Sequence, residues 1–412
     1  MDNQWFNVDK EGLSKLLEGQ DIHIKLVLEL IQNALDTNAT FVDVTMRPIH
    51  NSPLVLLTVV DDDPDGFADL SHAYTLFAES EKKSDPTKRG RFNLGEKMVL
   101  SLCRSATISS SKCSIHFDEN GKRSKSKACR ESGSDFTGLI RMTRKQMHSV
   151  EEELQHIISE IPVTVNGERM KMRKPIATFT ASLPTLISND DGVLTRTTRV
   201  TGISVYETPD ECTARIYELG IPVVETGDKF DIDVRQKVPL NLDRDNVPPA
   251  YLRKLRVLVL NELYERIDVE DSNSVWVQEA TASPDIVKSA FETVIDQRFG
   301  KDAVSYDPSD PEANAQAINA GASVIHGRSL SADQWKNSRR FQTVTPAGRS
   351  GFATAKPYSS DPNAPSVRTL SHDEWTPAML RVESMTRNLC KIANGFESVS
   401  YTHLTLPTNR EV

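Results

Sequence analysis

The sequence predicts an α/β protein of more than one domain, and three observations carry that prediction. Residues 21–37 contain no Pro or Gly and are apolar at 22, 24, 26, 27, 28, 30, 31, 34 and 35, a density that predicts a buried helix. Phe41–Met46 alternates apolar with polar residues, and Leu54–Val60 is a near-continuous apolar run rich in Val, Leu and Thr, so both predict strands. The 412 residues exceed what one hydrophobic core usually organises.

The helix has an unusual polar line. Glu29, Asn33 and Asp36 fall at i, i+4 and i+7 and share one face, while Leu28, Ile31 and Leu35 occupy another. Oxygen donors suit a hard cation such as Mg²⁺, and a nearby carboxylate can orient or deprotonate a water. A solvated helix face is the alternative. The second strand runs into Asp61-Asp62-Asp63-Pro64-Asp65-Gly66, which reads either as an ordinary turn or as an acid poised at a strand end. In the second reading the carboxylate accepts from a ligand amine, and Gly66 permits close backbone approach.

Phe77–Arg91 is polar, lacks periodicity, contains Asp85-Pro86 and reads as a mobile surface loop. It leads into Gly90-Arg-Phe-Asn93-Leu94-Gly95-Glu-Lys97 and then an apolar helical stretch, Met98–Cys103. Glycines just before a helix bring free N–H groups and the positive helix end within reach of a phosphate. Hairpins are expected at Asn120-Gly121 and Asn166-Gly167.

The order of these pieces resembles the GHKL ATPase superfamily, which includes type II topoisomerases, the mismatch-repair ATPase, heat-shock chaperones and histidine kinases. Its first motif, roughly E-x-x-x-N-x-x-D, is matched by Glu29, Asn33 and Asp36. The resemblance implies a Bergerat-type two-layer α/β sandwich over residues 1–175 that binds ATP and Mg²⁺. Glu29 would activate water, Asn33 would ligate Mg²⁺, and Asp36 would line the nucleotide pocket. D-x-G-x-G is matched by Asp62, the implied adenine-reading acid, and Gly66, with Pro64 replacing the first glycine. The phosphate loop keeps Gly90, Leu94, Gly95 and Lys97, with Asn93 in place of the middle glycine. Leu139 follows Gly138 where the family carries threonine. The histidine-kinase branch fits least, because no helix with a phospho-acceptor His precedes Glu29.

Residues 176–275 read as a smaller mixed α/β domain, resembling the superfamily's transducer or middle domain. Ile176–Leu186, Arg196–Glu207 and Phe230–Val238 are expected strands, and Pro209–Leu219 and Tyr251–Val269 expected helices. Arg244 resembles the chaperone arginine that reaches the γ-phosphate, and Gln236-Lys237 resembles the topoisomerase Gln-x-Lys element. Either cation could neutralise charge on a transferred phosphoryl group. Residues 276–398 read as a linker-rich helical segment that is partly disordered. Within it Val304–Pro311 and Thr343–Ser366 are expected linkers, and Glu312–Val324 and Pro377–Asn394 expected helices. No chemistry is read at Trp335 or Trp375. Residues 399–412 resemble translated sequencing-adapter read-through.

Composition narrows the function classes. A net charge of −9 argues against nucleic-acid binding over the whole surface, while a local basic patch stays open. No apolar run approaches the roughly 18–20 residues of a membrane span, and the N-terminus lacks a signal-peptide pattern. The five cysteines (103, 113, 129, 212 and 390) form no CxxC pair, so free thiols in a reducing cytoplasm are expected. The leading expectation is slow, Mg²⁺-dependent ATP hydrolysis coupled to domain closure. The superfamily adds homodimerisation on nucleotide binding, with a protein client or DNA as the object of the cycle. The alternative is a nucleotide-binding switch without turnover, motivated by Pro64 and Leu139.

Overall fold

The computed structural model describes residues 22–66, 85–89, 95–188, 194–240, 246–353 and 372–394. It divides into one unit of Met1–Ser305 with Ile325–Thr345 and another of Tyr306–Val324 with Pro346–Val412.

The first unit begins with helix α1 (Ile22–Leu35), which buries Leu26, Val27, Leu30, Ile31 and Ala34. Strands β1 (Val42–Pro48) and β2 (Leu54–Asp61) pair antiparallel, with Val44 opposite Val59 and Met46 opposite Leu57. Alternation decides the face: Val42, Val44, Met46, Val55, Leu57 and Val59 all turn inward. Each such side chain contributes about 1.5–3 kcal/mol on leaving water.

Helix α2 (Gly95–Leu102) runs into β3 (Cys103–Ser109), followed by β4 (Ser114–Phe117), β5 (Arg123–Ser126) and β6 (Ser134–Arg141). The β4–β5 turn places Gly121 at φ +77°. Helix α3 (Arg144–Leu154) starts in a capping box, with the Thr143 hydroxyl on the Gln146 N–H and the Gln146 side chain on the Thr143 N–H. Strands β7 (Val163–Val165) and β8 (Glu168–Arg169) turn at Asn166-Gly167, both left-handed. The sheet order is β5-β4-β3-β6-β2-β1-β7-β8. Helices α1, α2 and α3 share one core with the sheet, giving the expected two-layer α/β sandwich.

A second sheet, ordered β12-β11-β13-β10-β9, follows within the same unit. It comprises β9 (Ala177–Ser188), β10 (Leu194–Glu207), β11 (Arg215–Glu218), β12 (Ile221–Glu225) and β13 (Phe230–Val234). The helix expected over 209–219 is not formed. Arg215–Glu218 is a strand because Ile216, Tyr217 and Glu218 are buried between β12 and β13, and Leu219-Gly220 makes a left-handed turn. Tertiary burial overrides the helix-forming composition of Ala-Arg-Ile-Tyr-Glu-Leu. The expected strand to Val238 stops at Val234.

Helix α4 (Pro249–Leu263) has Pro in its first turn and ends six residues before the expected Val269, where a 3₁₀ turn, Tyr264–Arg266, takes over. The second core then continues past residue 275. It takes in α5 (Val269–Ser272), α6 (Val275–Thr281), α7 (Lys288–Phe299) and α9 (Ala332–Phe341). Trp276, Val277, Ala280, Phe291, Val294 and Ile295 are all buried there. Trp335 is half-buried against the same core and donates its ring N–H to the Gly327 carbonyl at 2.9 Å.

The other unit contains α8 (Pro311–Asn319), a 3₁₀ turn at Ala347–Arg349 and α10 (Pro377–Asn394). Asn314 closes the start of α8 by donating to the Asp307 and Asp310 carbonyls. The suspected adapter tail lies outside the described residues. Among the described residues no helix is long and apolar enough to cross a membrane.

Candidate functional site

The polar line on α1 survives folding. Glu29 and Asn33 are half-buried, although Leu26, Leu30 and Ala34 on the same helix are buried. Just past the helix end, the Asp36 side chain is only 2% exposed and is met by Arg89. The Arg89 backbone N–H donates to Asp36 at 3.1 Å and its Nη1 at 2.8 Å. The same guanidinium donates from Nε to the Leu219 carbonyl at 3.0 Å, and from Nη2 to the same oxygen. Arg89 immediately precedes Gly90, so the first expected motif touches the entrance to the phosphate loop.

Gly90, Asn93 and Leu94 lie outside the described residues. Gly95 opens α2, and Lys97 sits in its first turn. Helix α2 packs against α1 and β3, with Val99 buried. The segment expected as a mobile loop is described only over residues 85–89, and there it is anchored. Pro86 is buried, and the Asp85 carboxylate accepts from the Thr87 N–H at 2.8 Å and the Thr87 hydroxyl at 2.6 Å. Those bonds lower the Asp85 pKa.

The three aspartates after β2 have separate tasks. Asp61 is buried and accepts from the Asp63 and Ser134 N–H groups; burial raises its pKa against those bonds. Asp62 accepts from the Thr40 N–H at 2.6 Å, the Thr40 hydroxyl and the Phe41 N–H at 3.1 Å. Burial pushes the Asp62 pKa up, and the Thr40 and Phe41 bonds outweigh that, leaving it lowered. Asp63 is buried and accepts from the Asp65 N–H at 3.2 Å.

Gly66 is left-handed at φ +58°, and a Cβ there would lie 2.6 Å from the Ser111 hydroxyl. Its close neighbour is the Ser110-Ser111 turn. A glycine that the sequence reading passed over is equally constrained: Gly133, at φ +78°, would place a Cβ 2.0 Å from the Asp61 carbonyl. Its signal, Glu-Ser-Gly-Ser, reads as any polar turn. Gly138 and Leu139 sit inside β6, with Leu139 opposite both Leu56 and Ser105.

Lys237 is 1% exposed. Its ammonium donates to the Asp85 carbonyl at 2.8 Å, and its N–H donates to the Pro86 carbonyl at 2.9 Å. Gln236, also buried, donates to the Leu183 carbonyl at 3.1 Å. Arg244 lies outside the described residues.

A second group of contacts joins the region after α3 to the second sheet. Arg215 pairs with Glu153 at 2.8 Å and Glu225 at 3.0 Å. Arg173 pairs with buried Asp231 at 2.7 Å and stacks over Tyr206. The Ile158 N–H donates to the Gly220 carbonyl at 2.8 Å, and Ile158, Tyr206 and Tyr217 form a small apolar cluster. Burial and the nearby Arg215 lower the His156 pKa. Burial also raises the Asp233 pKa to about 6, against the pull of Arg235.

Among the described residues no group of three His, Cys, Asp or Glu side chains could hold a metal ion alone.

Comparison with known families agrees with this geometry. Residues 23–154 match the family described as histidine kinase-, DNA gyrase B- and HSP90-like ATPase, from the first turn of α1 to the end of α3. The N-terminal sandwich is therefore a domain of the GHKL superfamily. No curated protein matches the chain.

Proposed function

We propose that the N-terminal domain binds ATP and hydrolyses it slowly in a Mg²⁺-dependent way. GHKL membership supports ATP binding. The observation that carries the finer reading is the meeting of Asp36 with Arg89. It brings the helix bearing Glu29 and Asn33 against the residue that enters the glycine loop.

Glu29 would take a proton from an attacking water, and Asn33 would hold a metal ion that, when bound, would neutralise phosphate charge. Asp36 would border the nucleotide pocket, and Gly90, Asn93, Leu94, Gly95 and Lys97 are the residues proposed to hold the phosphates. Arg244 is the expected γ-phosphate contact. On this reading the protein works in a reducing, cytoplasmic setting, where exposed Cys129 and Cys212 stay as thiols.

A second reading has its own support. The Asp62 carboxylate already accepts from Thr40 and Phe41, so an adenine amine would have to share it with them. With Pro64 and Leu139 on the same side of the proposed pocket, that crowding supports a nucleotide-operated switch without turnover. One measurement separates the two: phosphate release with and without Mg²⁺, beside equilibrium ATP binding. Mg²⁺-dependent release supports hydrolysis, tight binding without release supports the switch, and no binding eliminates both.

A further inference from the structure

The Leu219-Gly220 turn between β11 and β12 is held from two sides by the ATPase domain. On one side its Leu219 carbonyl takes the Arg89 guanidinium, which also holds Asp36. On the other its Gly220 carbonyl takes the Ile158 N–H. The turn cannot shift freely. A Cβ at Gly220, which is at φ +86°, would lie 1.9 Å from the Ile158 carbonyl. The Gly220 N–H is fixed by Asp233 at 2.7 Å, and the Leu219 N–H donates to the Val234 carbonyl at 3.0 Å. Buried Lys237 grips residues 85–86 from the second sheet as well. Residues 85–89 are thus bound to α1 at one end and to two points of the second sheet.

We propose that Arg89 is a positioning residue that transmits nucleotide occupancy from α1 and the glycine loop to the second sheet through the Leu219-Gly220 turn. This rests on the ATP-binding reading. The physical reason is the shared guanidinium. One planar cation satisfies a nearly buried carboxylate of the nucleotide domain and a carbonyl of the second sheet together, so neither can move without straining the other. A ligand that fixes Asp36 or Arg89 must therefore tighten the turn. Linkage requires the effect to run both ways.

The test is hydrogen exchange on the full chain over residues 216–222, with and without a saturating non-hydrolysable ATP analogue and Mg²⁺. It is read at every residue there except Pro222, which has no amide hydrogen. Analogue binding is measured separately by calorimetry. The wild-type chain should bind the analogue and slow exchange at 216–222 by about 5–150-fold. Arg89→Gln should still bind at saturation but lose that protection. Arg89→Lys, which keeps the charge but not the two-sided fork, should lose most of it. Lys237→Met severs the same segment from the other side and should weaken protection too; circular dichroism checks that each variant is folded. Binding by the wild type without protection at 216–222, or full protection in folded Arg89→Gln, overturns the inference while leaving ATP binding intact. Failure of the wild type to bind the analogue overturns the ATP reading and this inference with it.

Discussion

Glu29 and the three aspartates after β2 show how little a side chain's identity says until its partners are known. Half-buried Glu29 is the proposed general base, a role that contributes about 10²–10⁴-fold in rate. Glu29→Ala should lose turnover by that factor and keep ATP affinity, as measured by phosphate release beside calorimetry. Asp233 makes a different prediction. Its folded pKa of about 6 lies above the unfolded carboxylate value of about 3.9. Its protonated form is the one the fold favours, so its contribution is fullest below pH 4. That contribution is lost as pH rises through 6, a difference on the order of 2–3 kcal/mol. Melting followed from pH 5 to pH 7 should show a steeper decline for the wild type than for Asp233→Asn.

At the scale of elements, α1, β1, β2 and both Asn-Gly hairpins were legible because each carries its own periodicity or turn chemistry. Pro377–Asn394 was legible as a helix for the same reason. Strand β11 was not: its helix-forming residues yield to the burial of Ile216, Tyr217 and Glu218, which no local pattern encodes. Helices α6, α7 and α9 fall in or at the edge of a stretch read only as linker-rich and helical, and none was placed individually. Of the candidate site, the residue types on α1 and at the strand end could be read. The tasks of Asp61 and Asp62 could not, because those depend on neighbours 21 to 73 positions away. A chain truncated after residue 275 strips Phe291, Val294 and Ile295 from the second core. It should be insoluble or unfolded. Within the full chain, Phe291→Ala should destabilise by about 3–5 kcal/mol in denaturant titration.

For the molecule as a whole, the ion pair of Arg173 with Asp231 of the second sheet is shielded from water. The Arg173 and Asp231 side chains are 13% and 2% exposed. Arg173→Ala leaves Asp231 with the Arg215 N–H and the Tyr217 hydroxyl but no cation. Removing one partner of such a buried pair typically costs about 3–5 kcal/mol. Unfolding by urea should detect that loss, and 0.5 M salt should leave most of it in place. A salt-sensitive loss would mean that the pair is exposed in solution.

The glycine tips have a practical consequence for anyone wishing to watch this protein at work. Space is open around Gly121 and Gly167, whereas Gly220 is pressed onto the Ile158 backbone. A fluorophore or short epitope inserted at Asn120-Gly121 should therefore be carried silently, with the melting temperature unchanged. The same insertion at Leu219-Gly220 wedges itself between the parts that a reporter is meant to observe. Of these three glycine-bearing hairpin tips, two are handles and one is a plug.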